Sequence, residues 1–257
     1  MANIAIVIYS TYHHVAQMAE SVKSGVESSG NNATIYQVPE TLSEDVLTKL
    51  YAPAKPDYPI ATTETLVQAD GIIFGFPTRF GSMPAQMKSF IDSTGGLWGE
   101  GKLYQKPASA FISTGSGGGR ETTVFSLLST LTHHGMLYIP LGYATVFGEI
   151  TDLSNIQGST PWGAGTIAGS DGSRQPTEND LKIANIQGKQ FAEIVSKMNK
   201  KEEVKKAEPV TEVKKAEPVK KETKKAEPVK KETKKTVAEP APKKKNAIKR
   251  FFSKIFN

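Results

Sequence analysis

Apolar residues follow two rhythms along the first 199 positions. Ile4-Ala-Ile-Val-Ile-Tyr9 is an unbroken apolar run, the pattern of a strand covered on both faces. From Val15 to Ser28 the spacing lengthens: Val15, Met18, Ala19, Val22 and Val26 recur every three or four positions, which predicts a helix with one buried side. The alternation then repeats. Ala33–Val38, Gly71–Phe76, Ala108–Ser113 and Met136–Leu141 read as strands. Pro84–Ser93, Glu121–His134 and a last segment from Pro176 through Ile183, Ile186, Phe191 and Ile194 read as helices. Five strands separated by helices predict an α/β fold, a five-stranded parallel sheet with helices on both faces. Two connections are long: Glu40–Thr63, with Pro53, Pro56 and Pro59, and the glycine-rich Gly142–Gln175. A loop as long as Gly142–Gln175 in a compact domain carries function or contacts, whereas Glu40–Thr63 reads as a surface excursion.

The rhythm stops at residue 200. Lys200–Lys245 repeats VKKAEPV and KKAEPVKKET, without an aromatic residue and with prolines at 209, 218, 228 and 240. Such a segment buries too little apolar surface to offset its ordering entropy, so an extended linker is expected. The predicted organisation is a globular domain over 1–199, a disordered Lys/Glu/Pro linker over 200–245 and a short basic amphipathic segment over 246–257. In that last segment Ala247, Ile248, Phe251, Phe252, Ile255 and Phe256 fall on one helical face, with Lys249, Arg250 and Lys254 on the other. This pattern suits peripheral contact with an anionic membrane surface.

Charge divides at the same place. Residues 1–199 hold 12 basic and 17 acidic side chains, a balance of −5; residues 200–257 hold 20 and 9, a balance of +11. The net +6 therefore belongs to the tail and is no sign of nucleic-acid binding by the domain. With no cysteine, disulfides, thiolate metal sites and cysteine nucleophiles are excluded, and no metal site is expected. The N-terminus lacks the basic region of a signal peptide, and no run of about 18 apolar residues offers a membrane span.

Three strand-to-helix loops have compositions suited to chemistry, since ligands of an open parallel sheet gather at the carboxyl ends of its strands. Ser10-Thr-Tyr-His-His-Val15 places hydroxyls at a helix start, where free N–H groups and the helix dipole favour an anion. A simple N-cap by Ser10 or Thr11 is an equally good reading of that loop alone. It matches neither GxGxxG nor GxxxxGK[ST]. Pro77-Thr-Arg-Phe-Gly-Ser-Met-Pro84 puts Thr78, Arg79 and the apolar Phe80 in one turn. Ser113-Thr-Gly-Ser-Gly-Gly-Gly-Arg120 lets a backbone approach a flat ligand closely. His133 and Trp98 carry no function when taken singly.

Jointly these segments resemble the WrbA-type NAD(P)H:quinone oxidoreductases, a flavodoxin-like family. The resemblance covers nearly all of 1–199. It rests on PTRFGSMPAQMKSFIDSTGGLW (77–98), STGSGGGRET (113–122), LTHHGM (131–136), PLGY (140–143) and PWGAGTIAGSDGSRQP (161–176), in that order. The family implies a flavodoxin-like sheet of order 2-1-3-4-5, noncovalent FMN and NADH or NADPH as co-substrate. By motif, Ser10, Thr11, Tyr12, His13, His14 and Val15 would wrap the FMN phosphate. Thr78, Arg79 and Phe80 would line the flavin ring; Ser113, Thr114, Gly115, Ser116, Gly117 and Gly118 would contact its other edge and ribityl chain. His133 would complete the pocket, as the best candidate for a catalytic acid, and Tyr12 and Trp98 would border the nicotinamide and quinone. A homodimer or homotetramer is implied, with Gly142–Gln175 a candidate for part of the subunit contact. Fungal members are associated with the plasma membrane, so a cytoplasmic protein peripheral to that membrane is expected. His13 stands where the family usually has glycine. The competing reading is a non-catalytic adaptor on the same scaffold; a visible flavin spectrum separates the two.

Overall fold

The computed structural model describes residues 1–207, with side chains to residue 200. The linker beyond 207 and the amphipathic segment 246–257 lie outside the described residues. Six strands, β1 (Asn3–Ile8), β2 (Asn32–Gln37), β3 (Gly71–Pro77), β4 (Pro107–Thr114), β5 (Leu137–Tyr138) and β6 (Gly165–Ile167), form one parallel sheet. Its order is β2-β1-β3-β4-β5, and β6 also pairs with β4.

Strand alternation explains why the central runs are continuously apolar. On β1, Ile4, Ile6 and Ile8 face one core with Ile73 and Phe111, against α1 (His14–Ser28) and α8 (Glu178–Ala207). Ala5 and Val7 face the other core with Ile72, Phe74 and Phe76, against α4 (Ala85–Asp92) and α6 (Arg120–His134). Each buried Ile, Leu or Phe contributes roughly 1.5–3 kcal/mol, so burial on both faces makes this sheet the rigid base for its loops.

The fifth strand departs from expectation. The apolar run predicts one strand over Met136–Leu141; only Leu137 and Tyr138 pair, with Pro107 and Ala108. Ile139 still donates to Ala108 O at 2.8 Å, but Pro140 has no N–H to continue the ladder. The edge resumes at β6, where Gly165, Thr166 and Ile167 pair with Ile112, Ser113 and Thr114. The excursion between the two short strands holds α7 (Phe147–Ile150). The Glu40–Thr63 connection contains α2 (Glu44–Lys49) and runs into α3 (Thr63–Gln68). A short α5 (Gly95–Gly99) follows α4. The last helix continues past 199 to Ala207: residues 200–207 are mostly helix formers, and Pro209 is the first breaker.

α1 and α8 touch at backbone distance through two glycines. A Cβ on Gly25 would stand 1.9 Å from Asn185 O, and one on Gly188 would stand 2.1 Å from Val22 O. This contact fixes α1, and with it the loop that opens α1. Gly25→Val should lower stability by about 3 kcal/mol, seen as a reduced urea midpoint with an unchanged m-value.

Candidate functional site

Four loops at the carboxyl edge of the sheet enclose a cavity of about 320 Å³. The loop after β1 contributes Ser10, Thr11, Tyr12, His14 and Val15; the end of β3 contributes Pro77, Thr78 and Arg79. Ser113, Thr114 and Gly115 come from the end of β4, and Ala168, Ser170 and Gly172 from the loop after β6. Crossovers leave β1 and β3 in opposite directions here, the crevice where open α/β sheets hold ligands.

The first loop is built for an anion. His13 is the N-cap of α1, with φ 67° and ψ −5°, and its side chain makes no capping bond. The first-turn N–H groups thus lack a cap and carry the positive end of the helix dipole. His14 is buried in the cavity wall, and its Nε2 finds no hydrogen-bond partner among the described residues. A buried imidazole nitrogen without a partner is costly unless a ligand supplies one. His13 itself turns away: its Nε2 lies 2.9 Å from Ala54 O, and it does not line the cavity.

The second and third loops brace one another. Thr78 Oγ1 lies 2.6 Å from Thr123 Oγ1, and Thr78 N donates to Ser113 O. Arg79 and Ser82 exchange backbone hydrogen bonds across Phe80 and Gly81, which have φ of 53° and 75°. Positive φ at both central residues is a type I′ hairpin. It directs the Phe80 ring fully into solvent, at 107% exposure, so within one chain Phe80 does not line the cavity. Gly117 N donates to Thr114 Oγ1, and Arg120 Nε donates to Gly117 O. That turn carries Ser116, Gly117 and Gly118 outside the cavity wall.

The fourth wall was missed from sequence. The sequence marks 142–175 only as a long functional or contact loop, without site residues; the structure adds Ala168, Ser170 and Gly172 to the cavity lining. Ala168 N donates to Thr114 O, and Arg174 donates to Ile167 O and Ile156 O. The available signal was the glycine- and serine-rich run 168–173, a composition suited to a ligand loop.

His133 and Trp98 lie elsewhere in the chain. With Lys88, Thr94, Ser129 and His134 they line a separate shallow depression that shares no residue with the first cavity. Trp98 Nε1 donates to His133 O at 2.9 Å. His134 sits 2.8 Å from Thr94 Oγ1; burial first, and then neighbouring His133, holds its pKa below the ordinary histidine value.

The left-handed turn at His13 is testable apart from any ligand. A non-glycine residue there costs about 1–2 kcal/mol. His13→Gly should match or exceed the parent stability despite losing the bond to Ala54. His13→Val, β-branched at positive φ, should lower it. Urea midpoints of the three proteins check this.

The NADPH-dependent FMN reductase family model matches residues 10–149. The NAD(P)H quinone oxidoreductase PST3 of Candida albicans is 60% identical over 195 residues, 76% of this chain and 98% of its own. Protoplast secreted protein 2 of Saccharomyces cerevisiae is 55% identical, over 77% of this chain and all of its own length. Quinone-oxidoreductase QR2 of Triphysaria versicolor is 53% identical, over 76% and 96%. The crystal structure of a flavodoxin, WrbA-like protein from Agrobacterium tumefaciens superposes with a TM-score of 0.54 at 26% identity, covering 77% of this chain and 99% of that one. On the loops, the strand order and these likenesses together, the chain belongs to the NADPH-dependent FMN reductase family, in its WrbA-like, flavodoxin-fold branch.

Proposed function

We propose that the protein is an FMN-dependent NAD(P)H:quinone oxidoreductase that reduces quinones by two electrons, with an antioxidant role. The observation that carries this reading is the uncapped start of α1 beside the unpartnered His14 Nε2, at one end of a slot edged by glycine and hydroxyl side chains. These groups fit the flavin: a phosphate accepts from helix N–H groups and imidazole, and a planar ring needs close backbone edges.

On this reading Ser10, Thr11, Tyr12, His14 and Val15 hold the phosphate end. Thr78 and Arg79 hold one edge of the ring, and Ser113, Thr114 and Gly115 the other, with Ala168, Ser170 and Gly172 closing the slot. FMN held there would supply the two-electron redox chemistry that links NAD(P)H to a quinone. The protein positions both partners at a single face, so they occupy it in turn and the kinetics are ping-pong. His133 and Trp98 complete the site from a neighbouring subunit of a homodimer or homotetramer. Their distance from the slot within one chain, and the solvent-exposed Phe80 and Trp98 rings, support that arrangement. The basic segment 246–257 holds the enzyme peripherally at an anionic membrane face, a reading that rests on its apolar and cationic stripes.

The purified protein should be yellow and should oxidise NADH or NADPH only when benzoquinone is present, with parallel double-reciprocal lines. FMN-loaded protein without such turnover overturns the proposal. His14→Ala should weaken FMN binding about tenfold or more, as loss of a charge-assisted hydrogen bond predicts, measured by flavin fluorescence. Removal of 246–257 should abolish co-sedimentation with phosphatidylserine vesicles at physiological salt; full retention by the truncated protein rejects the membrane assignment.

A further inference from the structure

Thr78 lines the slot, and its Oγ1 lies 2.6 Å from Oγ1 of Thr123, near the start of α6. Thr123 is fully buried and does not line the slot; among the described residues its hydroxyl bonds with Thr78 alone. A core hydroxyl is costly without a partner. Packing at that place would be served by valine, so the hydroxyl of Thr123 is explained by the bond it makes.

The surroundings hold the pair in place. Thr78 N donates to Ser113 O at 2.8 Å, which fixes its backbone to the end of β4. Gly119, at φ 81°, supplies the room: a Cβ there would stand 2.9 Å from Thr78 Oγ1. Thr123 N donates to Gly119 O, which ties that glycine to the helix.

The number of hydrogens assigns the donor. Two hydroxyls bring two hydrogens to one contact. If Thr78 donated, the hydrogen of Thr123 would be left in the core without an acceptor, the costly outcome. If Thr123 donates, the spare hydrogen belongs to Thr78, which is half-buried and borders the slot, where water or a ligand accepts it. The second arrangement satisfies both groups.

We propose that Thr123 is a positioning residue for the flavin: by donating to Thr78 it makes the Thr78 hydroxyl a fixed donor to an acceptor atom on the ring edge. The assignment rests on the reading of the slot as an FMN site. A donor preset at a ring edge holds the electron-rich reduced ring more tightly than the oxidised one, and so raises the potential of the bound flavin. Thr123 exerts this effect through Thr78 alone.

The test uses the full-length protein and four variants: Thr123→Val, Thr123→Ser, Thr78→Val and the double variant Thr78→Val/Thr123→Val. The midpoint potential of bound FMN is read by anaerobic reduction against a reference dye. Thr123→Val should lower the ratio of reduced to oxidised FMN affinity about tenfold, a drop of about 30 mV for a two-electron couple. Thr123→Ser keeps the donor and should stay at the parent potential. In the Thr78→Val background, Thr123→Val should shift the potential no further. An unshifted Thr123→Val, or equal shifts in both backgrounds, overturns the proposal. Urea midpoints of the FMN-free proteins test the hydrogen assignment separately. Thr78→Val strands the core hydroxyl and Thr123→Val does not, so Thr78→Val should be the less stable single variant, and the double variant should be more stable than it. The reverse order overturns the assignment. Failure of the flavin reading shows differently, as a parent protein that takes up no FMN; the order of urea midpoints then decides the Thr78–Thr123 assignment by itself.

Discussion

The structure depends on where the first helix is allowed to begin. α1 cannot slide, because Gly25 and Gly188 bring its backbone against that of α8 with no space for a Cβ. β1 cannot shift, because isoleucines pack below it and alanine and valine above. Between these fixed parts the chain must turn within a few residues, and it does so by placing His13 in the left-handed region. The consequence is a helix start aimed into the crevice with its donors uncapped and His14 folded under it. A left-handed turn of this kind persists only because packing on two sides over-determines it.

A partly buried carboxylate extends that rigidity sideways. Burial pushes the Glu40 pKa up, but Lys55 and the N–H groups of Leu42 and Thr41 outweigh it and hold the group below the ordinary carboxylate range. Glu40 therefore stays ionised and joins the end of β1 through Tyr9, α4 through Gln86 and the proline-rich connection through Lys55. Removing it would leave Lys55 without its counter-ion and Tyr9 with an unpaired hydroxyl. The Pro53–Pro59 segment, which composition marks only as a surface excursion, is held in this way against the domain.

Much of this was legible in the residues, and the gaps have physical causes. β1, β3 and β4 announced themselves because burial on both faces demands unbroken apolar runs. That the loop after β1 and the Thr78 and Ser113 turns meet at one cavity was readable, because glycine and hydroxyl residues at strand ends gather at the carboxyl edge of a parallel sheet. β6 was not readable: three residues carry no period, and its pairing with β4 is a non-local choice made after Pro140 stops the ladder. With β6 hidden, the Ala168–Gly172 wall had no strand end to belong to. The outward turns of Phe80 and His13 were hidden for a related reason. Motif order says that a loop is present, but backbone dihedrals decide which of its side chains face the slot.

The direction of these side chains also bears on the proposed sharing of the site between chains. Phe80 is held in a type I′ hairpin that a phenylalanine enters only at a conformational cost. Trp98 is oriented by its bond to His133 O while much of its ring remains exposed. A loosely attached surface aromatic needs neither constraint. Two aromatic rings left exposed among the described residues, one on a constrained hairpin and one held by a hydrogen bond, suit an interface, because ordered groups lose less entropy on association. The proposed assembly accounts for the strain at Phe80 and the separation of His133 from the slot with one assumption, since a neighbouring chain would bring both groups to the site.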